Sequence, residues 1–142
     1  MKKYTLIASA VMIVLSIGVL AKAETSPFDG TWNVKITCEE TFNAPAYSYK
    51  FVAQVKDGKF FGQYGEEDKP GFLRITGQID ADGSSMLDAN GLIGKASSKA
   101  AVIGQAYNYS IKTQFNGSQG KGSRMQAIRA GQRNCDYIFT KQ

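Results

Sequence analysis

The chain has no histidine, and its 142 residues include only two cysteines, three prolines and one tryptophan. Each scarcity excludes something. Without histidine there is no Ser–His or Cys–His nucleophile and no imidazole-ligated metal. The sequence therefore offers no catalytic set, no metal site and no cofactor, and it reads as a non-enzyme. Charge is scarce as well: charged residues make up 20% of the chain against 43% hydrophobic ones. That balance excludes a disordered tail, and the length suits one domain. Helical signals are missing too, because no stretch of about 12 residues carries an apolar stripe at the 3.6-residue period.

The chain opens with an export signal. Met1-Lys2-Lys3 is a short basic start, Tyr4–Leu20 is an uncharged and mostly apolar run, and Ala21-Lys22-Ala23 has the small-x-small pattern of a signal-peptidase site. Residues 1–23 are read as a cleavable signal peptide and 24–142 as a single domain beginning at Glu24. The rival reading is an uncleaved anchor, since the 17-residue run Tyr4–Leu20 lies at the bottom of the spanning range. The residue directly after Ala23 is Glu24 and not a cysteine, so a lipid anchor is not expected. The implied location is the bacterial periplasm or the medium, with no membrane span once the signal is removed.

Loss of Lys2, Lys3 and Lys22 lowers the formal net charge from +5 to +2. A domain so close to neutral is a poor nucleic-acid binder, and no nucleic-acid partner is expected. The charge is unevenly spread. Residues 24–90 carry 6 basic and 11 acidic groups, whereas residues 91–142 carry 8 basic and 1 acidic. If the first and last strands are neighbours, the two halves interleave into a mixed surface; the sharper reading is a basic flank for an anionic partner.

Cys38 and Cys135 stand near the two ends of the exported chain. In an oxidising compartment they are expected to form a disulfide. The loop so closed is about a hundred residues long, a length that the chain-entropy model credits with about 4–5 kcal/mol. The alternative is two free buried thiols. A catalytic thiol would lack the histidine that activates it.

The exported part reads as a row of strands. Trp32, Val34, Ile36 and Cys38 alternate with Thr31, Asn33, Lys35 and Thr37, the period of a half-buried strand. Tyr47, Tyr49, Phe51, Ala53 and Val55 form a second such face, followed by a Lys56-Asp57-Gly58-Lys59 turn and a third strand, Phe60–Tyr64. Gly65–Gly71 is a loop. A fourth strand carries Leu73, Ile75, Gly77 and Ile79, and Asp80-Ala81-Asp82-Gly83 turns into a short fifth, Ser84–Ala89. Gly91–Gly94 is a candidate start of a sixth, and Lys95–Gly104 reads as a mobile loop. Tyr107, Tyr109, Ile111, Thr113 and Phe115 mark the clearest late strand. Asn116–Gly120 turns it, Lys121–Ala127 returns, Ile128–Asn134 is loop, and Cys135, Tyr137 and Phe139 lie on the last strand. Seven to nine short strands predict an all-β antiparallel fold, either a sandwich or an up-and-down barrel of about eight strands. The cysteines favour the barrel. Cys38 ends the first strand and Cys135 begins the last, so a bond between them pairs those strands antiparallel and closes the sheet.

Phe28-Asp29-Gly30-Thr31-Trp32 resembles the opening of the calycin-type barrels, the lipocalins and avidins. That resemblance implies an indole, here Trp32, plugging one barrel end. The exported chain also resembles a group of short exported bacterial proteins with an early Gly-Thr-Trp, Asp-Gly turns and two cysteines. Those features here are Gly30-Thr31-Trp32, Cys38, Asp57-Gly58, Asp82-Gly83, and Cys135 ahead of Phe139-Thr140-Lys141. This second resemblance implies no activity. With a single tryptophan the chain departs from avidins, whose biotin sites are walled by several.

Three local patterns invite chemistry and fit turns better. Gly117–Ser123 breaks the phosphate-loop spacing, because Gly122 stands where the hydroxyl is needed. Asp80, Asp82 and Asp88 lack the closing glutamate of a calcium loop. Glu39-Glu40 and Glu66-Glu67-Asp68 are carboxylate runs that read as solvated. The aromatic residues say more. Trp32, Tyr47, Tyr49, Phe51, Tyr107, Tyr109 and Tyr137 fall on inward faces. They either fill a small core or line a site for one small, partly aromatic or apolar ligand. Five inward tyrosine hydroxyls are many to satisfy in a dry core, which favours the site. Arg74, Lys112 and Arg124 are candidate sources of positive charge at a rim. The function that follows is an exported, non-enzymatic barrel binding a small molecule. The alternative is an envelope interaction or inhibitor module contacting a protein through Gly65–Gly71 and Lys95–Gly104. Oligomeric state is not legible.

Overall fold

Alternation of inward and outward residues, with apolar side chains at most inward positions, builds most of the walls of this molecule. The structure, a computed structural model, describes residues 25–41, 45–94, 102–124 and 134–142. Among them run eight strands: β1 (Gly30–Cys38), β2 (Tyr47–Lys56), β3 (Lys59–Tyr64), β4 (Leu73–Gln78), β5 (Ser84–Leu92), β6 (Ala106–Asn116), β7 (Gln119–Arg124) and β8 (Cys135–Lys141). Each pairs antiparallel with the next and β8 returns to β1, giving a closed up-and-down barrel. The sandwich reading is thereby excluded. Along the seam Cys38 lies directly opposite Cys135, and the two are disulfide-bonded.

The two barrel ends differ. At one end the chain reverses tightly: Lys56 pairs with Lys59 around Asp57-Gly58, and Asn116 with Gln119 around Gly117-Ser118. Asp57 and Gly58 have φ of 53° and 72°, the positive pair that a type I′ hairpin requires and that matches strand twist. Here the interior is sealed. Trp32 is fully buried, packs edge-on against Phe115 at 5.3 Å between ring centroids, and donates its indole N–H to the Phe28 carbonyl at 2.8 Å. Phe60 and Phe139 cross at 5.5 Å beneath it. Buried polar groups in this half are satisfied. Ser85 Oγ donates to the Gln78 carbonyl at 2.6 Å, and Thr113 Oγ1 to that of Ser85 at 3.2 Å.

An acid latches this closed end. The Asp29 carboxylate, just before β1, accepts from the backbone N–H groups of both Asp57 and Gly58 at 2.9 Å. The Gly58 N–H holds its pKa below the ordinary 3.8, with help from the other backbone donors and Lys141. A carboxylate with a depressed folded pKa stabilises above its unfolded value, and that contribution fades as pH falls through the folded one. Acidification below pH 3.8 is therefore expected to lower the wild-type Tm by more than that of Asp29→Asn. Parallel thermal melts across pH 2–5 check this.

Three strand boundaries differ from the sequence reading. β5 does not stop at Ala89 for a new strand to begin at Gly91; it runs to Leu92, with Gly91 paired to Tyr107. Ile79 lies beyond β4 as an isolated bridge to Ser85. β7 starts at Gln119, inside the expected turn, and its described part ends at Arg124. Residues 1–23, expected from the sequence to be a signal peptide, lie with positions 24, 42–44, 95–101 and 125–133 outside the described residues.

Candidate functional site

At the end opposite Trp32 the inward faces change character, and register sets the heights. Going down β1, Cys38 is flanked by Tyr47 and Cys135, Ile36 by Tyr49 and Tyr137, and Val34 by Phe51 and Phe139. The wall thus passes from cystine through tyrosine to phenylalanine before it reaches the Trp32 plug. Five of the aromatic residues singled out from the sequence, with Tyr137 beneath them, gather at this mouth. On one side Tyr47 meets Tyr49 at 5.0 Å and Tyr49 meets Tyr64 at 4.9 Å, with Phe51 at 6.2 Å from Tyr64. On the other, Tyr107 and Tyr109 stack with planes 6° apart, and Tyr109 meets Tyr137 at 6.5 Å. Tyr137 is buried; Tyr49, Phe51, Tyr64, Tyr107 and Tyr109 are half-buried, and Tyr47 stands exposed at the rim.

Trp32 does not belong with them. It lies at the sealed end and is not a residue of this mouth. Period 2 tells which face a side chain takes but not how high on the wall it sits, so Trp32 and Tyr137 looked equivalent in the sequence. Tyr64 was passed over, although its parity with Phe60 on β3 already placed it inward.

Close backbone approach seats Tyr107. Its ring lies over Gly91, where an added Cβ would come within 2.5 Å of the ring Cζ and hydroxyl. Glycine is needed there because the space above its Cα is filled. Tyr137 and Tyr109 join across β7, their hydroxyls 2.7 Å apart with one donating to the other.

Of the three candidate cations, Arg124 alone faces the mouth. Its guanidinium carbon is 4.1 Å from the Tyr109 ring centroid. Arg74 is corrected to the outer wall, where it pairs with Glu67 at 2.9 Å, donates to Gln63 at 3.1 Å and lies over Phe61 and Phe72. Lys112 also points outward and is exposed, since it alternates with the buried Ile111 and Thr113. A depression of about 570 Å³ opens on that outer wall across β5, β6 and β7, away from the tyrosines.

Burial raises the pKa of Tyr107, Tyr109 and Tyr137 above the ordinary 10.0, and neighbouring phenols add to the rise at Tyr107 and Tyr109. Arg124 opposes the shift at all three without cancelling it. These three phenols are therefore neutral at ordinary pH. A raised folded pKa stabilises below the unfolded value and is lost as pH rises through the folded one. We expect these three phenols to stay un-ionised above pH 10 and to titrate together with alkaline unfolding. The NMR ring resonances of Tyr107, Tyr109 and Tyr137 and the far-UV circular dichroism, followed in one pH titration, should break at the same point; ionisation of these three ahead of unfolding would contradict it.

The other sequence patterns resolve as local structure. Asp82 caps its own turn, accepting from the Ser84 N–H at 2.9 Å and Oγ at 2.6 Å, while Asp88 lies on the wall near Ser110. Gly117-Ser118 is a hairpin turn. Among the described residues no three of His, Cys, Asp and Glu are placed so as to hold a metal ion, and no helix is long and apolar enough to cross a membrane.

No protein-family model and no curated protein matches the chain. Among solved structures it is similar to the ywiB protein from Bacillus subtilis at 16% identity, over 79% of this chain and 90% of that one, with a TM-score of 0.38.

Proposed function

We propose that this is an exported, non-enzymatic barrel of calycin type that binds one small, partly aromatic or apolar molecule at its tyrosine mouth. The observation that carries the reading is the asymmetry of the two ends. One is a dry plug of Trp32, Phe115, Phe60 and Phe139, while the other presents half-buried tyrosine rings from β2, β3 and β6 to solvent. Stability alone does not call for that arrangement. Tyrosine offers an apolar face and a polar tip, so a ring of them suits ligands that are flat or apolar with a few polar atoms. Chemistry is a poor fit, because among the described residues the inward faces of the mouth carry phenols and an arginine and no carboxylate or imidazole to accept a proton. Export is supported by the leader pattern and by a disulfide that suits an oxidising compartment.

A thermal-shift series with 2-(2-naphthyl)ethanol and 2-naphthylacetate tests the binding. A dose-dependent rise in Tm that Tyr109→Ala abolishes is expected. No shift with either probe would sink the reading. Sequencing the amino terminus of the protein recovered from its host tests export, with Glu24 as the expected first residue.

A further inference from the structure

Among the described residues the mouth holds a cation without a counter-ion. Arg124 is half-buried, sits over the Tyr109 ring at 4.1 Å, and among the described residues has neither a carboxylate partner nor a hydrogen-bond acceptor; its Nε is buried and unpaired. Arg74 shows the contrast. It too lies over aromatic rings and leaves its Nε unpaired, yet its Nη2 reaches both Glu67 and Gln63. A ring face attracts a guanidinium but accepts none of its in-plane N–H bonds. Among the described residues Arg124 therefore commits none of its fork of donors. The acids that follow β1 and β3 at this end, Glu39, Glu40, Glu66, Glu67 and Asp68, make no ion pair with Arg124 among the described residues. Positions 95–101 and 125–133 contain Lys95, Lys99, Arg129 and Arg133 and no acidic residue.

Resting on the binding reading above, we propose that the tyrosine mouth selects an anion, specifically a small carboxylate with an aromatic or apolar body, and that Arg124 is its anchor. The carboxylate accepts from the guanidinium fork while the body lies against the rings of Tyr107, Tyr109 and Tyr49. Partial burial strengthens such a charge-assisted contact beyond its value in open water.

The test is isothermal titration of the oxidised protein with three probes sharing one naphthyl body: 2-naphthylacetate, 2-(2-naphthyl)ethanol and 2-(2-naphthyl)ethylammonium. The acetate is expected to bind about tenfold or more tighter than the alcohol, and the ammonium weakest. In Arg124→Gln the preference for the acetate should vanish while alcohol binding stays within about threefold; Arg124→Lys should retain part of it. Wild-type acetate and alcohol binding equally would overturn the anion proposal and leave the binding reading standing. Binding of none of the three would overturn both. A preference that survives in Arg124→Gln but fades at 0.5 M salt would assign it to the surface lysines and overturn the role of Arg124.

Discussion

Breaking the Cys38–Cys135 disulfide is expected to remove about 4–5 kcal/mol of stability. The bond joins residues 97 positions apart, so nearly all of the barrel lies inside the loop it closes. Cutting it frees the unfolded chain far more than it disturbs the folded one, where β1 and β8 remain paired from Trp32–Lys141 up to Cys38–Cys135. Domains of this size are commonly stable by about 5–15 kcal/mol, so the loss is a large share of the total. Urea unfolding of the oxidised protein and of a Cys38→Ala/Cys135→Ala variant measures it. The midpoint should fall steeply and the slope should rise, because an uncrosslinked unfolded chain exposes more surface. A change below about 1 kcal/mol would mean that the seam holds without its staple.

The second large effect is at the sealed end. Trp32→Ala is expected to cost about 3–5 kcal/mol. The indole is wholly buried, meets Phe28 and Phe115, and its loss leaves the Phe28 carbonyl without its donor. Trp32→Phe keeps most of the volume and should cost less, isolating the part owed to the hydrogen bond and the second ring. The change lies several layers below Tyr47 and Tyr107, so probe binding at the mouth should persist wherever the variant is folded. Thermal melts and probe titration of both variants check the pair of expectations, and a loss below about 1 kcal/mol in Trp32→Ala would remove the plug from the account.

Much of this architecture was legible from residue order. The alternation of Trp32, Val34, Ile36 and Cys38 and that of Tyr107 to Phe115 define β1 and β6 within a residue or two. The positions of the two cysteines on first and last strands gave the closure that alternation cannot supply. What stayed hidden depends on register and on glycine. Asn90-Gly91 reads as a break, yet Gly91 is inside β5 because Tyr107 occupies the space a side chain would take. On β7 the inward positions preceding Arg124 are Gly120 and Gly122, so no apolar face announces which way the arginine points. Arg74 belongs to a well-patterned strand whose inward residues are Leu73 and Ile75, and its outward direction could have been read from them. The separation of Trp32 from the tyrosines required the strand pairing itself, since a fully buried aromatic at either end has the same parity.

The most direct test of the tyrosine mouth is to map ring and side-chain NMR resonances as 2-naphthylacetate is added to the oxidised protein. The Trp32 indole N–H, sealed at the opposite end against the Phe28 carbonyl, serves as the internal reference. The account predicts progressive shifts at Tyr49, Tyr64, Tyr107 and Tyr109 and at the Arg124 guanidinium, with the indole signal stationary. Shifts confined to the outer wall near Met86 and Lys112, or no shifts at saturating probe, would contradict it.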